Sequence, residues 1–407
     1  MNPKRALLFI FCTVTLDVLA LGLMIPVLPS LVLGFMGGEV AGAAEIFGLF
    51  ATVWGLMQFF CSPLLGALSD RFGRRPVILL SCLGLGLDYI LMALAPNLIW
   101  LFVGRVISGI TAATITTAFA YVADVTPAEN RAKAFGIVGI GFGVGFVVGP
   151  AIGGLLGGLD PRLPFWVSAA ACLANAVFGW FVLPESLPPE RRMAFEWKRA
   201  NPLGALRLLR RHTELLGLSA ANFLGQLAHQ VLPSVFVLYA AYRYHWGEAM
   251  VGLTLAGVGL TSALVQGLLV GPAVARLGER RAMILGLAAG ALGMAIYGLA
   301  PTGLWFWLGV PVMAIWGLAG PASQALMTPM VSPSEQGQLQ GAATALMSIT
   351  GLIGPGIFVL SFSYFIEGRG PVDLPGLPFL LAAALLLAAA FLTRAVTAPR
   401  RPGDPAR

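Results

Sequence analysis

Four ionisable side chains lie inside long apolar stretches of this sequence: Asp17, Asp88, Arg105 and His229. A charge at the centre of a bilayer costs at least about 2.5–3.5 kcal/mol, so such side chains usually face a cavity and perform a task. Because an intramembrane carboxyl group can exchange a proton, Asp17 and Asp88 are predicted to carry protons, with His229 as a further candidate. The alternatives are a structural hydrogen bond for each carboxylate, a static role for Arg105, and packing for His229.

Neutral amides form a second group. Asn222, Gln226 and Gln230 are four residues apart and share one helix face, while Gln58, Gln266 and Gln324 lie in other apolar stretches. Together with Arg105, aromatic rings such as Trp316 and several methionines, they are predicted to line a cavity for an amphipathic organic molecule. The alternative is that these amides join helices to one another inside the membrane.

A charged loop separates two of the apolar stretches. It contains Gly66, Asp70, Arg71, Gly73, Arg74 and Arg75. Asp70 can face the positive N-terminus of a helix, and Arg74 can pair with Asp124 after a later stretch, which predicts a latch that breaks during a conformational change. The alternative is a tight turn whose arginines only mark the cytoplasmic side.

Glycine recurs every fourth residue at positions 141, 145, 149 and 153, so that Gly145, Gly149 and Gly153 share one helix face beside Pro150. Gly139 and Gly143 lie on an adjacent face. The pattern predicts close approach of a neighbouring backbone, with a bend at Pro150. Pure packing and a role in conformational change both fit it.

The elements that position these residues are membrane helices. The 407 residues are 58% hydrophobic and 11% charged, which disfavours a soluble protein. Since about 20 apolar residues cross a bilayer, twelve spans are predicted. They run from 7 to 32, 46 to 68, 76 to 95, 100 to 123, 134 to 156, 165 to 183, 215 to 241, 251 to 274, 282 to 300, 304 to 330, 341 to 365 and 377 to 396.

Lysine and arginine fall almost entirely in the loops on one side of these spans, so both termini are predicted to be cytoplasmic. The net charge of +7 therefore follows the membrane topology and does not indicate nucleic-acid binding. The first apolar stretch is too long for a signal peptide and is interpreted as a retained helix. The four cysteines lie within spans, which predicts neither a disulfide framework nor a metal site.

The chain partly matches itself at an offset of 205 residues. Gly149-Pro150 falls on Gly354-Pro355, and the loop from Gly66 to Arg75 falls on Gly271 to Arg280. The sequence therefore predicts an all-α membrane protein of two pseudo-symmetric six-helix bundles, residues 1–183 and 214–396, with a linker at 184–213 and a tail at 397–407. Such duplications typically place a substrate path between the halves and rock one half against the other.

The sequence has no P-loop, no metal-ligand spacing and no catalytic triad order, so neither a cofactor nor an enzyme activity is predicted. An integral-membrane enzyme or sensor is disfavoured for the same reason. Within transport, an exporter and a nutrient symporter or facilitator remain the alternatives.

The residues resemble the major facilitator superfamily and, within it, the tetracycline/proton antiporters of drug-resistant bacteria. The resemblance covers nearly the whole chain and is carried by residues 16–29, the loop from Gly66 to Arg75, Leu87-Asp88-Tyr89, residues 104–109, residues 141–154, Gly278 to Arg281 and Gln336 to Gly341. It implies export of a tetracycline-like drug from the bacterial inner membrane in exchange for protons. Asp17 and Asp88 match the family's intramembrane carboxylates, Arg105 its arginine and Asp70 its gating carboxylate.

Two positions depart from the family pattern. Members carry a histidine in the eighth helix and an aspartate in the ninth, both tied to proton coupling, and the matching residues here are Ser262 and Gly290. Either Asp17 and Asp88 carry the proton alone, or His229 substitutes, or the exported drug is another amphipathic compound. The expected partners are a small-molecule drug, protons and the lipid bilayer. The sequence does not determine the oligomeric state, for which a monomer is the expectation.

Overall fold

The computed structural model describes residues 3–111, 114–126, 131–192, 209, 213–331, 336–369 and 374–397. The regular elements of this part are helices. They are α1 (Pro3–Met24), α2 (Leu28–Phe35), α3 (Val40–Phe72), α4 (Arg74–Leu94), α5 (Leu98–Thr111), α6 (Thr114–Val125), α7 (Arg131–Gly157), α8 (Leu163–Val182), α9 (Thr213–His229), α10 (Val231–Tyr244), α11 (Glu248–Leu264), α12 (Val270–Leu277), α13 (Glu279–Leu299), α14 (Gly303–Ala314), α15 (Ala319–Met327), α16 (Gln336–Ile366) and α17 (Leu377–Val396).

Eleven helical stretches of the described residues are long and apolar enough to cross a membrane. The predicted fourth span corresponds to α5 and α6, which lie on either side of residues 112–113. The prediction of an all-helical, multi-pass membrane protein is therefore confirmed. Most of the predicted linker, at 193–208 and 210–212, and the tail from 398 onward lie outside the described residues.

The chain divides into two compact units. The first unit lies within residues 1–202, 232–260 and 351–375, and the second within 203–231, 261–350 and 376–407. In the first unit α1 packs against α7 and α8, and α4 packs against α8 and α5. In the second, α13 packs against α17 and α14, and α9 packs against α17. The division into two sequential six-helix bundles stays a prediction.

The glycine repeat of α7 lies against α1. A Cβ atom added at Gly141 would come within 2.5 Å of Thr15 Oγ1, and one at Gly149 would come within 2.8 Å of the Gly22 Cα atom. Gly145 and Gly153 meet the α1 backbone in the same way, whereas a Cβ added at Gly139 or Gly143 has no neighbour within 4 Å among the residues that the structure describes. The repeat therefore has a direct packing role, because larger residues would force the two helices apart.

A second face of α7 packs against α11, also within the first unit. A Cβ atom added at Gly252 would come within 2.9 Å of the Gly154 Cα atom, and one at Gly259 within 2.7 Å of Val147 Cγ2. Similarly, α3 packs against α16, where Ser363 donates a hydrogen bond to Glu45 Oε1 at 2.8 Å. Segments from late in the sequence are thus part of the first unit.

Candidate functional site

Asp17 lies in a buried polar group formed by α1, α4 and α8. We call this set, Thr13, Asp17, Cys82 and Asn175, the Asp17 group. Thr13 Oγ1 donates to Asn175 Oδ1 at 3.1 Å, and Asn175 Nδ2 donates to Asp17 Oδ1 at 3.4 Å. The Cys82 thiol approaches the same Asp17 oxygen at 3.9 Å. Asp17 is 7% exposed and Asn175 is 1% exposed, so these contacts are shielded from water.

The Asp17 group adjoins two apolar clusters of buried residues. One cluster contains Cys82 itself together with Phe9, Val14 and Val18, and the other contains Ala20 and Met24 from the following turns of α1. Because Asp17 is in the interior of the bundle, its side chain does not face lipid. Thr13, Cys82 and Asn175 were missed as functional candidates, although a threonine one turn before Asp17 and an asparagine inside the sixth span were visible in the sequence.

Asp88 occupies a second buried position, on α4 beside α5. It is 1% exposed, and neither carboxylate oxygen has a hydrogen-bond partner in the part of the chain that the structure describes. Arg105 is also buried, and its Nη2 atom lies 3.1 Å from Met24 Sδ and 3.6 Å from Met92 Sδ. No hydrogen bond joins the two charged groups, although a Cβ added to the intervening Gly104 would lie 3.0 Å from Asp88 Oδ1. The predicted ionisable residues Asp88 and Arg105 therefore lie near one another.

The predicted amides and His229 lie at positions that are more exposed than those of Asp17 and Asp88. The face of α9 that carries Asn222, Gln226 and His229 is half-buried to exposed, and Gln230 follows at the turn where α9 ends. Asn222 Nδ2 approaches Met327 Sδ at 3.9 Å. Gln58 is half-buried in α3, and Gln324 is half-buried in α15.

Two irregular helical turns pack against each other in the second unit. A π-helical turn, Val265–Leu269, follows α11 and contains Gln266, and a 3₁₀ turn, Ile315–Leu318, follows α14 and contains Trp316. The Trp316 ring lies 5.7 Å from the His229 ring. A Cβ atom at Gly290 would come within 2.8 Å of Trp316 Cγ, so this ring fills the space beside the glycine. Irregular turns of this kind are frequent at functional sites.

The segment predicted as a charged loop is helical except at Gly73, because Asp70 and Arg71 lie at the end of α3 and Arg74 and Arg75 begin α4. The predicted pair of Arg74 with Asp124 of α6 is present. Arg74 Nε lies 3.2 Å from Asp124 Oδ2, and Arg74 Nη2 lies 2.6 Å from Asp70 Oδ1. Arg74 Nη1 also donates to Ser69 Oγ at 2.6 Å. The Arg71 guanidinium lies over the Phe72 ring at 5.0 Å. Arg74 thus joins this loop to the end of α6.

Glu185 completes this arrangement and was missed from the sequence. Its carboxylate accepts hydrogen bonds from the backbone N–H groups of Arg74 at 2.8 Å and Arg75 at 3.3 Å. These groups begin α4, where unpaired N–H groups and the helix dipole favour an anion. Gly73 has a φ of 107°, and the Glu185 carboxylate occupies the space that a side chain there would fill. The available sequence signal was an acidic residue directly after the sixth span.

Arg75 makes a further contact between these elements. Its Nη2 atom donates to the Trp180 carbonyl oxygen at 2.6 Å, and its guanidinium lies 5.6 Å from the Trp180 ring. Ser186 Oγ donates to Asp124 Oδ2 at 3.2 Å. Asp70, Asp124 and Glu185 therefore form an acidic set around Arg74, with members from the end of α3, from α6 and from the segment after α8.

Comparison with known proteins identifies relatives along nearly the whole chain. The family model described as Major Facilitator Superfamily matches residues 7–320 and 218–407. The tetracycline resistance protein, class C, of Escherichia coli is 40% identical over 358 residues, covering 87% of this chain and 89% of that protein. The class H protein of Pasteurella multocida is 32% identical and covers 98% of each chain. A crystal structure of the nucleoside transporter NupG is 17% identical with a TM-score of 0.75, covering 98% of this chain and 100% of that one.

Proposed function

Because this chain belongs to the major facilitator superfamily, we propose that it exports tetracycline, or a related amphipathic drug, in exchange for protons. The observation that carries the proposal is the 40% identity to a tetracycline resistance protein over 87% of the chain. The buried carboxylates supply a chemical basis for coupling. An ionised acid inside a membrane costs free energy, so such residues occur mainly where they have a function.

Asp88 and Asp17 are the proposed proton carriers. Neither Asp88 oxygen has a hydrogen-bond partner among the described residues, and buried Arg105 lies nearby without a hydrogen bond to it. A buried carboxyl group beside a buried cation is a candidate for a site that alternates between two protonation states. Asp17 differs because Asn175 donates a hydrogen bond to it.

The proposed drug site uses the amides of the second unit with Trp316 and His229. Tetracycline has fused rings with polar substituents, and a surface of amides and aromatic side chains matches that mixture. The His229 and Trp316 rings, 5.7 Å apart, supply the aromatic part, and exposed Gln266 supplies an amide beside them.

Alternating access is the proposed mechanism, with both termini in the cytoplasm of a bacterial cell and the chain in its inner membrane. The ion pairs of Arg74 with Asp70 and Asp124, here called the Arg74 latch, then lie on the cytoplasmic side. The contacts of α3 with α16 and of α7 with α11 lie near the periplasmic side. Opening toward one side requires breaking the contacts on that side. Each proton that enters contributes about 2.3 kcal/mol per 100 mV of membrane potential.

Uptake into inverted membrane vesicles tests the function. With an imposed proton gradient, the wild type should accumulate tetracycline, and Asp88→Asn should lower gradient-driven uptake at least tenfold while leaving downhill drug equilibration. Asp17→Asn should also lower uptake. The matched control is Asp160→Asn, because Asp160 is an exposed acid between α7 and α8 whose Oδ1 accepts from the Arg162 N–H group.

Two results would reject this scheme. Full gradient-driven uptake in both Asp17→Asn and Asp88→Asn would remove the proton assignment. A wild type that accumulates no tetracycline but equilibrates a sugar would identify a nutrient symporter or facilitator.

A second candidate function is export of a different amphipathic drug. It is favoured by Trp316, which fills the space beside Gly290 where the tetracycline antiporters carry an aspartate. A panel of amphipathic dyes in the same vesicles distinguishes the two candidates, because this alternative requires gradient-driven accumulation of a dye without that of tetracycline.

A further inference from the structure

The order of hydrogen bonds in the Asp17 group fixes the direction in which the Asn175 amide points. A threonine hydroxyl has one proton, and Thr13 gives it to Asn175 Oδ1 at 3.1 Å. The other end of the amide, Nδ2, therefore faces Asp17 Oδ1 at 3.4 Å. If the amide turned over, its carbonyl oxygen would face the carboxylate and two acceptors would oppose each other.

We propose that Asn175, oriented by Thr13, is the positioning residue that presents an N–H donor to Asp17 and thereby sets the pH range over which Asp17 takes up and releases the exchanged proton. This inference rests on the proposed function, in which Asp17 exchanges a proton. A donor aimed at a carboxylate favours the ionised form, so the amide opposes the effect of burial.

Titratable groups near Asp17 come from the helices that pack against α1. Among the described residues they include Cys82 and Tyr89 from α4 and Cys172 from α8, and the charged residues Asp88 and Arg105 lie further along α4 and α5. From α6 the titratable residues are Tyr121, which donates to the Pro184 carbonyl oxygen, and Asp124 of the latch. From residue 134 to 157, α7 has no titratable residue.

The hydrogen bonds of the Asp17 group join three helices, and their strength depends on whether Asp17 carries a proton. Thr13 and Asp17 belong to α1, Cys82 to α4 and Asn175 to α8. When Asp17 is ionised, the amide contact from α8 is a charge-assisted hydrogen bond, and when Asp17 is protonated that contact weakens. The protonation state of Asp17 thus changes how strongly α8 is held to α1.

The test measures tetracycline-driven proton exchange against pH in proteoliposomes of the full chain. Asn175→Leu removes the donor with little change in volume, and Thr13→Val removes the hydroxyl that orients it. A hydrogen bond to a charged group contributes about 1.5–3 kcal/mol, which corresponds to a shift of about one to two pH units. The midpoint of the pH profile should therefore move to higher pH by about that amount in Asn175→Leu and by a smaller amount in Thr13→Val.

Three further variants separate positioning from folding. Thr13→Ser keeps the hydroxyl and should keep the wild-type midpoint. Ser168→Ala removes another buried hydrogen bond between α8 and α1, from Ser168 Oγ to the Ala20 carbonyl oxygen at 3.0 Å, without contacting Asp17. It should lower the melting temperature but leave the midpoint unchanged. Asn175→Gln retains an amide and should restore part of the shift.

The outcomes separate this inference from the proposed function. An unmoved midpoint in Asn175→Leu and Thr13→Val, with proton exchange intact in the wild type, overturns the inference and leaves the function standing. Absence of exchange in the wild type rejects the function instead. If Asn175→Leu does not fold, the comparison of Thr13→Val with Thr13→Ser decides. In an Asp17→Asn background neither substitution should shift the profile, and a shift there also overturns the inference.

Discussion

Residues 66–75 partly match residues 271–280 at the offset of 205, and these two segments, here called the first and second copy of the loop, differ in the charges around them. In the first copy Gly73 separates α3 from α4, and in the second Gly278 separates α12 from α13. Both glycines have positive φ, 107° and 75°. The Glu185 carboxylate fills the space beside Gly73, whereas no atom of the described residues lies within 4 Å of a Cβ added at Gly278.

The copies share one contact. Arg75 in the first copy donates to the carbonyl oxygen of Trp180 near the end of α8. Arg280, its counterpart at the offset of 205 residues, donates to the carbonyl oxygen of Arg394 near the end of α17 at 3.2 Å. A cation at the C-terminal end of a helix is favourable because the last carbonyl groups have no partner within the helix.

The two copies differ in their acidic residues. Asp70, Asp124 and Glu185 surround Arg74, whereas Ala275 occupies the place of Asp70 and Glu279 occupies the place of Arg74. The glycine turn and the arginine contact are thus sufficient to join two helices. The acidic set of the first copy is an addition, and this suggests that switching belongs to the first loop and support to the second.

The largest expected effect comes from Glu185→Ala. The substitution leaves the first N–H groups of α4 without their acceptor, and losing a hydrogen bond to a charged group costs about 1.5–3 kcal/mol. If the latch stabilises one state of the transport cycle, this loss should lower tetracycline export about tenfold or more, measured as uptake into inverted vesicles.

The control for that variant is Glu190→Ala, which removes an exposed acid from the next short helix, Pro189–Arg191. Export by this control should equal that of the wild type. Equal export by Glu185→Ala and Glu190→Ala would show that the cap on α4 has no part in transport, and the contrast between the two loops would lose its main support.

The second effect is that of Asp70→Asn, which should lower turnover several-fold while leaving drug affinity and melting temperature near wild type. Asp70 is 42% exposed in its pair with Arg74, so the pair contributes about 0–1 kcal/mol to stability. The reciprocal variant Ala275→Asp should gain nothing, since Glu279 stands where Arg74 would be needed. A faster transporter in Ala275→Asp would contradict the assignment of switching to the first loop.

The sequence predicted the helical fold and part of the charged set around Arg74. The helical fold followed from local pattern, because apolar length is a property of the sequence. The pairing of Arg74 with Asp124 was predicted from the positions of both residues at the ends of apolar spans, although 50 residues separate them. Glu185 could not be assigned, since its role depends on the end of α8 lying beside the start of α4, more than a hundred residues earlier. Asn175 was missed for the same reason, because its contact with Thr13 spans 162 residues.

A smaller effect concerns the two glycines. Both glycines combine a positive φ with an extended ψ, 158° at Gly73 and 159° at Gly278, a conformation that a residue with a Cβ adopts at a cost on the order of 1–3 kcal/mol. Both Gly73→Ala and Gly278→Ala should therefore lower the melting temperature. Gly73→Ala should lower it further, because the added methyl group also displaces the Glu185 carboxylate. Thermal unfolding in detergent measures both variants. Equal losses would mean that Glu185 can move aside without cost.

The smallest loss of stability is expected from Thr397→Val. Thr397 contacts Arg280 of the second copy of the loop. Thr397 Oγ1 accepts a hydrogen bond from Arg280 Nε at 2.9 Å and donates to the Thr393 carbonyl oxygen at 2.6 Å. Losing these bonds should cost about 1 kcal/mol of stability, with export unchanged, and Thr397→Ser should restore it. If export fell as far as in Asp70→Asn, the second loop would also act as a switch. The neutral contacts of Arg280 would then be as much a part of the transport cycle as the acids around Arg74.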